Sequence, residues 1–297
     1  GKMAGQLMGA EMIGEKYDAD RETLDKFSLW SHEKANKYKD LRHKETIPIE
    51  VPYIGEIKGE TNVSVEVKPG VRSAVKRQKC KLILADNDYP AFNDWKDKLD
   101  LEGNLADNVK HFTYDIDESG RTKTTMEMMS KMRGAVKRRG ILTAGNSCPE
   151  NDGASGMLLA SREAAEQLGL NIRGHIKHIT VVGSCPVLML TGPQKATKLM
   201  MKRHGYSLDD FDIIEVNEAF STVVDGFCKD VGLDMFDERI NPWGGAIAVG
   251  HPTGSTGCRL IGTLLHQFEE KNAKDKLGLA TLCVGLGMGI AGVVQLE

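Results

Sequence analysis

The sequence has no long apolar run and no excess of charge of one sign. No stretch of eighteen or more apolar residues occurs among its 297 residues, which argues against a membrane-spanning helix. Its 39 Lys and Arg residues are balanced by 42 Asp and Glu residues, so no overall basic field is present for a nucleic-acid backbone. The basic run Lys76-Arg77-Gln78-Lys79 also carries no interleaved aromatic residue. We therefore expect neither a membrane span nor a nucleic-acid partner.

The cysteines lack any regular spacing. They form no Cys-x-x-Cys pair and no dense disulfide framework of the kind found in small secreted proteins. The N-terminal residues lack the basic, apolar and small-residue blocks of a signal peptide. The chain does not begin with Met, which initiator removal or a preceding segment would explain. We expect an intracellular protein, in the cytoplasm or an organelle matrix, with reduced thiols at Cys80, Cys148, Cys185, Cys228, Cys258 and Cys283.

Short apolar runs and amphipathic stretches alternate after about residue 140, whereas the preceding part is charged and irregular. β-branched runs bounded by turn residues predict strands, and apolar residues at helical spacing predict helices. Their alternation predicts an α/β layered domain with an inserted or appended polar region. The predicted strands are 178–182, 212–216, 279–284 and 290–296, and the predicted helices are 21–38, 124–136, 192–204 and one that begins at 254–257, with Cys258, Ile261, Leu264, Leu265 and Phe268 on its apolar face.

Two glycine-rich stretches resemble nucleotide-binding loops without meeting their requirements. The stretch from Gly287 to Gly292 fits G-x-G-x-x-G, but a dinucleotide site also needs a following helix and an acidic residue about 20 positions on, and only five residues follow. We expect a tight turn there, in which the backbone approaches a neighbour closely. The stretch from Gly250 to Gly257 lacks the lysine of a phosphate loop, although the N-terminus of the helix after it could stabilise negative charge.

Three polar side chains lie where predicted strands end or a helix begins. His251 stands among glycines before a helix, Cys283 ends a strand, and Asn217 follows the strand at 212–216. α/β proteins place ligands at such positions. Each residue also has a structural explanation, because a lone histidine is usually structural, a buried cysteine is usually an inert small hydrophobe, and an asparagine after a strand usually caps a helix. Spacing alone leaves both explanations open.

At these residues the sequence resembles the thiolase family. The similarity is carried by long, ordered motifs that together cover most of the chain. Before residue 160 they are Arg21 to Asp25 with Ser31 and His32, which resembles the helix that opens the family's loop domain, and Thr143 to Ala154 (TAGNSCPENDGA). After it they are Asn217 to Phe220 (NEAF), Gly244 to Gly257 (GGAIAVGHPTGSTG) and Cys283 to Gly289 (CVGLGMG).

The resemblance implies an α/β thiolase fold with layers in the order αβαβα. Its two similar halves each contain a five-stranded sheet, and a loop domain is inserted in the first half. In this chain it implies a loop domain at residues 1–140, the last strand and helix of the N-terminal half at 141–170, and the C-terminal half at 171–297. The family's nucleophilic cysteine precedes the loop domain, and none of the six cysteines matches its motif.

The activity that the resemblance implies is cleavage of 3-ketoacyl-CoA by CoA, or the reverse condensation of acyl-CoA molecules. His251 would activate the nucleophile, and Cys283 would exchange the α-proton as acid and base. Asn217 would hold a water in one oxyanion hole, and the backbone N–H of Gly285 would belong to the second. The glycines around His251 would let substrate and backbone approach the imidazole.

The expected partners are acyl-CoA and CoA, with CoA as a substrate, no further cofactor and no metal. Arg121, in a stretch that resembles DExxRxxTT, would contact the nucleotide end of CoA, and Ala144 and Cys148 would belong to the same site. Cys148 replaces a serine that often faces pantetheine in the family, and Leu286 interrupts its three-glycine run. We also expect a homodimer or homotetramer. The alternative is a noncatalytic thiolase-like protein that binds acyl-CoA or lipid, although the three catalytic residue types favour an enzyme.

Overall fold

The computed structural model describes residues 5–52, 111–114, 117, 119–137 and 140–297. The polar middle at 53–107, the basic run at 76–79 and Cys80 lie outside these residues. The chain divides into two units, Gly1–Glu45 with Glu118–Glu297 and Thr46–Asp117. In the second unit, β1 (Ile49–Pro52) and β2 (His111–Tyr114) form an antiparallel pair. The domain boundaries near 140 and 170 that the resemblance implies stay a prediction.

A mixed sheet of four strands forms the centre of the first unit. Its strand order is β3 (Gly174–Gly183), β6 (Met288–Leu296), β5 (Leu277–Val284) and β4 (Phe211–Val216). β4 and β5 are parallel, and the other two pairs are antiparallel. These elements confirm the four predicted strands. The resemblance implies a five-stranded sheet. The described residues contain four strands of it, and beyond β4 there is only a single parallel bridge, from Ile214 to Ile240.

Most of the predicted helices are confirmed. The helices are α1 (Gln6–Lys16), α2 (Arg21–Lys37), α3 (Lys39–His43), α4 (Met126–Ser130), α5 (Arg162–Gln167), α6 (Gly192–His204), α7 (Ser221–Val231), α8 (Ala246–Val249) and α9 (Thr256–Glu270). The helix predicted over 124–136 is wrong in extent, because α4 ends at Ser130. The Arg21 guanidinium donates to the carbonyl oxygens of Met129 and Met132, and the N–H of Ala135 donates to the Leu142 carbonyl. These backbone groups are therefore bonded outside the helix, and the segment after Ser130 is not helical. Among the described residues, no helix is long and apolar enough to cross a bilayer.

The sheet is covered on both faces, because successive residues of each strand point to opposite sides. Ile214 of β4 packs with α2, α6 and α7, whereas its neighbour Ile213 packs with α9. Phe27, Phe211 and Phe227 fill the first cluster and are fully buried. On α9, Leu264, Leu265 and Phe268 are buried as predicted, and Leu260 joins them. Cys258 and Ile261 are only partly buried.

The segment between α4 and α5 does not form the strand that the resemblance implies for 141–170. Residues 148–161 are neither helix nor strand. Ser147 makes a single antiparallel bridge to Phe220, and a longer strand needs a continuous row of such partners. The segment instead follows the loop at 250–255, where the Ser155 hydroxyl donates to the Ser255 carbonyl at 2.6 Å. Leu158 and Leu159 are consequently exposed.

The tight turn predicted at 287–292 lies nearer Cys283, because residues 288–292 pair with β5 as part of β6. β5 and β6 are joined by Gly285-Leu286-Gly287, in which Leu286 and Gly287 have φ of 66° and 85°. Leu286 adopts this left-handed conformation without the freedom of a glycine, which costs about 1 kcal/mol or more. The close approach is also present, because Gly289 lies directly against Gly192 at the start of α6. A side chain at either position would overlap the backbone of the other.

We predict that Gly289→Ala lowers the free energy of unfolding by about 1–3 kcal/mol or more, because the added methyl group must displace the start of α6. Gly183→Ala is the matched control at the end of β3, where no atom lies within 4 Å of the new Cβ. Its effect should stay within about 0.5 kcal/mol. Urea unfolding of the three proteins checks this. If Gly289→Ala were as stable as the unsubstituted chain, Gly289 and Gly192 would not be in close contact.

Candidate active site

His251 lies between hydrogen-bond partners that belong to different elements. Its Nδ1 is 2.7 Å from Oγ1 of Thr256, in the first turn of α9, and its Nε2 is 3.3 Å from Nδ2 of Asn217, which follows β4. The Thr256 hydroxyl donates its one proton to the Pro252 carbonyl at 3.0 Å, so it accepts from Nδ1–H of His251. The neutral ring therefore carries its proton on Nδ1 and presents a lone pair on Nε2 toward Asn217.

The surroundings favour the neutral form of His251. Burial lowers the pKa of its imidazole, and the positive charge of Arg259 lowers that pKa further. The neighbouring Asn217 is fully buried, and its Oδ1 has no hydrogen-bond partner among the described residues. A buried amide oxygen without a partner is an acceptor left open for a water or a ligand. The pair can thus accept a proton at Nε2 and hold a polar group beside it.

Cys283 occupies a different environment from His251. Its side chain is buried in an apolar cluster with Ala219 and Phe220. Burial raises the pKa of its thiol to about 12, and the Cys148 thiol contributes in the same direction. Cys283 is therefore a protonated thiol near neutral pH, which suits a proton donor. No hydrogen bond joins it to His251 or Asn217 in the described part of the chain.

Gly285 lies two residues beyond Cys283 at the start of the turn. It is partly exposed, and no atom lies within 4 Å of the position that a Cβ would take. A ligand can approach the backbone from this side, as an oxyanion hole formed by an N–H requires.

The stretch 146–149 connects the NEAF segment with His251. The N–H of Cys148 donates to the Ala219 carbonyl at 3.1 Å, and the N–H of Ser221 donates to the Asn146 carbonyl at 3.0 Å. The N–H of His251 donates to the Pro149 carbonyl at 3.4 Å. Since Ala219 also packs with Cys283, one continuous set of contacts links the segments that carry three of the expected catalytic residues.

The residues expected to contact CoA are less closely grouped. Cys148 is partly buried, and burial raises the pKa of its thiol to about 11. Ala144 is exposed. Arg121 is also exposed, and its carbonyl accepts from Asn36 Nδ2 of α2 at 3.2 Å. Its guanidinium makes no hydrogen bond or ion pair with a described residue, so the structure does not join it to His251.

The glycines before His251 face protein atoms, contrary to our expectation that they admit substrate. A side chain at Gly245 would overlap the carboxylate of Glu218. Gly244 has φ of 80°, and a Cβ there would lie 2.6 Å from the Ser31 carbonyl oxygen. Gly250 packs in the same way against Asn151. These glycines let α2, the NEAF segment and the His251 loop pack together, and thereby position the imidazole indirectly.

Glu218 is the centre of this packing and is fully buried. Its Oε2 accepts from the Ser31 hydroxyl at 2.7 Å and from the N–H of Ile247 at 3.1 Å, and its Oε1 accepts from Nδ2 of Asn241 at 2.7 Å. The Ser31 hydroxyl in turn accepts from the N–H of Gly245 at 3.0 Å. The carboxylate thus holds α2, α8 and residue 241 against the end of β4.

Sequence reasoning missed the roles of Thr256, Glu218 and Ser31. All three residues stand in matched motifs to which the sequence assigned no function for them. The available signal was an acidic residue, Glu218, close after the predicted buried strand at 212–216. A carboxylate at such a position needs partners, because carboxylates are rarely buried without them. Among the described residues, no group of three or more His, Cys, Asp or Glu side chains is placed to hold a metal ion.

Comparison with known families identifies two matching parts. The family described as "Thiolase, N-terminal domain" matches residues 102–163, and "Thiolase, C-terminal domain" matches residues 170–296. Together these spans cover more than half of the chain.

Curated relatives carry the same family name. The 3-ketoacyl-CoA thiolase of Vibrio vulnificus (strain YJ016) is 46% identical over 199 residues, which is 66% of this chain and 51% of that protein. The 3-ketoacyl-CoA thiolase of Photobacterium profundum is 36% identical over 297 residues, which is 99% of this chain and 63% of that protein. The chain therefore spans between about half and two thirds of the length of these relatives.

Solved structures are similar over almost the whole chain. The crystal structure of the Bacillus anthracis acetyl-CoA acetyltransferase has a TM-score of 0.74 and 26% identity, and covers 98% of this chain and 60% of that one. The dimeric peroxisomal thiolase of Saccharomyces cerevisiae has a TM-score of 0.74 and 28% identity, with coverages of 99% and 59%.

We predict that Glu218→Gln lowers the free energy of unfolding by about 2–4 kcal/mol, because an amide cannot accept all three hydrogen bonds and sets its own N–H groups against donors. Glu166→Gln on the exposed side of α5 is the control and should change stability by less than about 0.5 kcal/mol. Urea unfolding measures both. A Glu218→Gln variant as stable as the control would remove Glu218 from the centre of the packing.

His32 of α2 predicts a loss of stability in acid. It is buried, and burial followed by the Arg121 charge lowers the pKa of its imidazole from 6.5 to about 4. The unfolded chain therefore binds more protons than the folded chain as pH falls from 6.5 toward 4, and stability is lost over that window. Between pH 7.5 and 5 the unfolding free energy of the native chain should fall by about 2 kcal/mol more than that of His32→Gln. Parallel pH dependences would contradict this.

Proposed function

This chain belongs to the thiolase family, and we propose that it contributes the acid/base part of an acyltransferase that acts on CoA thioesters. The observation that carries the proposal is the hydrogen-bond series from Pro252 through Thr256 and His251 to Asn217, which leaves the Nε2 lone pair of a neutral imidazole beside a buried amide. These contacts fix the imidazole in one tautomer, and burial keeps it neutral. A general base requires both properties.

His251 and Cys283 have complementary roles in the proposed cleavage of a 3-ketoacyl-CoA. Nε2 of His251 takes the proton of a thiol nucleophile, whose sulfur then attacks the keto carbon. The bond between the α- and β-carbons breaks, and its electron pair stays on the α-carbon as the enolate of acetyl-CoA. The thiol of Cys283, protonated because it is buried, donates the proton that converts this enolate into acetyl-CoA. In the condensation direction the same step runs in reverse, so the thiolate that proton donation leaves on Cys283 takes the α-proton back and becomes a thiol again.

Asn217 and Gly285 supply the proposed stabilisation of the negative charge that develops on oxygen. Asn217, whose Oδ1 has no partner among the described residues, would hold a water that donates to the thioester oxygen beside Nε2 of His251. The N–H of Gly285 would donate to an oxyanion on the other side of the reacting carbon. The open space beside Gly285 supports this assignment. One such donor typically accounts for about 3–4 kcal/mol of barrier.

Arg121, Ala144 and Cys148 would contact CoA, which is a substrate rather than a resident cofactor. The guanidinium of Arg121, exposed and unpaired among the described residues, supports an ionic contact with the nucleotide end. Cys148 adjoins the NEAF segment through its backbone, which supports a place for it beside pantetheine. A homodimer is the proposed assembly, and the dimeric state of the yeast relative supports it.

A proton-exchange experiment tests the acid/base assignment without requiring a nucleophile. We predict that the 297-residue chain incorporates deuterium from D₂O into the methyl group of acetyl-CoA faster than buffer does, measured by NMR. Cys283→Ala should reduce exchange to the buffer rate, because the group that carries the proton is removed. Cys258→Ala, which removes a partly buried thiol of α9 outside the proposed site, should leave the rate unchanged.

Two further measurements distinguish the alternatives. If the chain binds CoA in calorimetry but shows no exchange above the Cys283→Ala rate, the acid/base role is wrong and the noncatalytic acyl-CoA-binding alternative is favoured. Thiolysis of acetoacetyl-CoA should remain at background, since none of the six cysteines matches the family's nucleophile. An ordinary enzymatic rate would show that one of them takes that role.

A further inference from the structure

Asn146 has every polar group of its side chain bonded within the fold. It is fully buried. Its Oδ1 accepts from the N–H of Thr143 at 2.8 Å, and its Nδ2 donates to the Ile141 carbonyl and to Oδ1 of Asp25, both at 2.9 Å. An amide whose oxygen and both N–H groups have partners is satisfied in only one orientation. The side chain therefore fixes the backbone at residue 146.

Asp25 is the partner of Asn146 that comes from a distant part of the chain. It lies on α2, 121 residues before Asn146, and its side chain is only 1% exposed. Its Oδ2 accepts from Nε of Arg21 at 2.6 Å, and the same guanidinium donates to the carbonyls of Met129 and Met132. Arg21 thus holds one oxygen of the carboxylate, and the other accepts from Asn146. A buried, charge-assisted hydrogen bond therefore joins α2 to residue 146.

The backbone at and after Asn146 holds one side of the NEAF segment. The Asn146 carbonyl accepts from the N–H of Ser221 at 3.0 Å, and the N–H of Cys148 donates to a carbonyl of the NEAF segment at 3.1 Å. On the other side, the N–H of Asn217 donates to the Thr281 carbonyl of β5 at 2.9 Å. Asn217 therefore lies in a segment that is held from two directions, by β5 and by the stretch that Asn146 fixes.

The same stretch continues along the loop that carries His251. The N–H of His251 donates to the Pro149 carbonyl at 3.4 Å. Gly153 packs so closely against Pro252 that a side chain at this glycine would overlap the proline ring. Nδ2 of Asn217 and Nε2 of His251, which are 3.3 Å apart, thus belong to two segments that contact one continuous stretch of chain. A displacement of that stretch would change their separation.

We propose that Asn146, held by Asp25, is a positioning residue that sets the contact between Asn217 and His251. Its own side chain is bonded to other groups, so it acts through the stretch that follows it. Small displacements of aligned groups lower a rate steeply, because the reacting atoms must keep a near-attack geometry. The inference rests on the proposed roles of Asn217 and His251 in stabilising the thioester oxygen.

Reversing the two polar groups tests the proposal. Asn146→Asp sets a second carboxylate against Asp25 and the Ile141 carbonyl, and should lower the rate of acetyl-CoA proton exchange about tenfold or more. Adding Asp25→Asn, which gives the reversed pair, restores a donor opposite the new carboxylate and should recover part of that rate. Thr263→Val is the matched control. It removes a hydrogen bond to Glu45 outside this stretch and should leave the rate unchanged.

A second measurement does not depend on activity. The 297-residue chain is labelled with ¹⁵N-asparagine, and the side-chain amide signal of Asn217 is assigned from Asn217→Asp. That signal reports the contact with Nε2 of His251. It should move in Asn146→Asp, return toward its original position in the reversed pair, and stay in place in Thr263→Val.

Three results would overturn the proposal. They are an Asn217 signal that does not move in Asn146→Asp, a reversed pair that recovers neither signal nor rate, and an equal loss of rate in Thr263→Val. If Asn146→Asp does not fold by circular dichroism, Asp25→Leu replaces it, and Asp25→Asn, which keeps an oxygen for Asn146, should then restore signal and rate. A signal that moves and returns as expected, in a chain without acetyl-CoA exchange, would retain the positioning role and reject only the proposed chemistry.

Discussion

The carboxylate of Glu218 is the contact on which the candidate site depends. It is buried at the end of β4 and satisfied by three donors, from α2, from Asn241 and from the first turn of α8. A buried carboxylate without such donors would cost several kcal/mol, so each donor segment is held where the carboxylate needs it. Asn217 precedes Glu218 and Gly245 contacts it, so the positions of the amide and of the loop that carries His251 follow from this one group.

Burial prepares His251 and Cys283 for different tasks through the same physical effect. A low-dielectric environment disfavours whichever form of a group is charged. For an imidazole that form is the protonated one, so burial leaves a base. For a thiol it is the deprotonated one, so burial leaves an acid. Burial thus shifts the proton affinities of the two groups in the opposite directions that their proposed roles require.

The sequence predicted elements and motifs whose causes are local, and it missed contacts that depend on distant segments. The strands and α6 followed from apolar periodicity and from Pro193 at the first turn, and the turn at Gly287 followed from its glycines. The overlong helix at 124–136 failed because Arg21, more than a hundred positions away, binds the carbonyls at its end. Glu218 gained its role from Ser31, Asn241 and Ile247 on other parts of the chain, which no spacing rule reveals.

The separation in sequence between Ser31 and Glu218 bears on how the chain folds. Asn241 and Ile247 lie 23 and 29 residues from Glu218, whereas Ser31 lies 187 residues away. Closing a loop of that length carries a larger entropy cost than the two shorter ones, and contacts of high sequence separation slow folding. The sheet and α9 can therefore assemble before α2 docks. A folding intermediate that already contains the C-terminal sheet would still lack the Ser31 contact beside the His251 loop, so the proposed proton transfer should be among the last properties that the chain acquires as it folds.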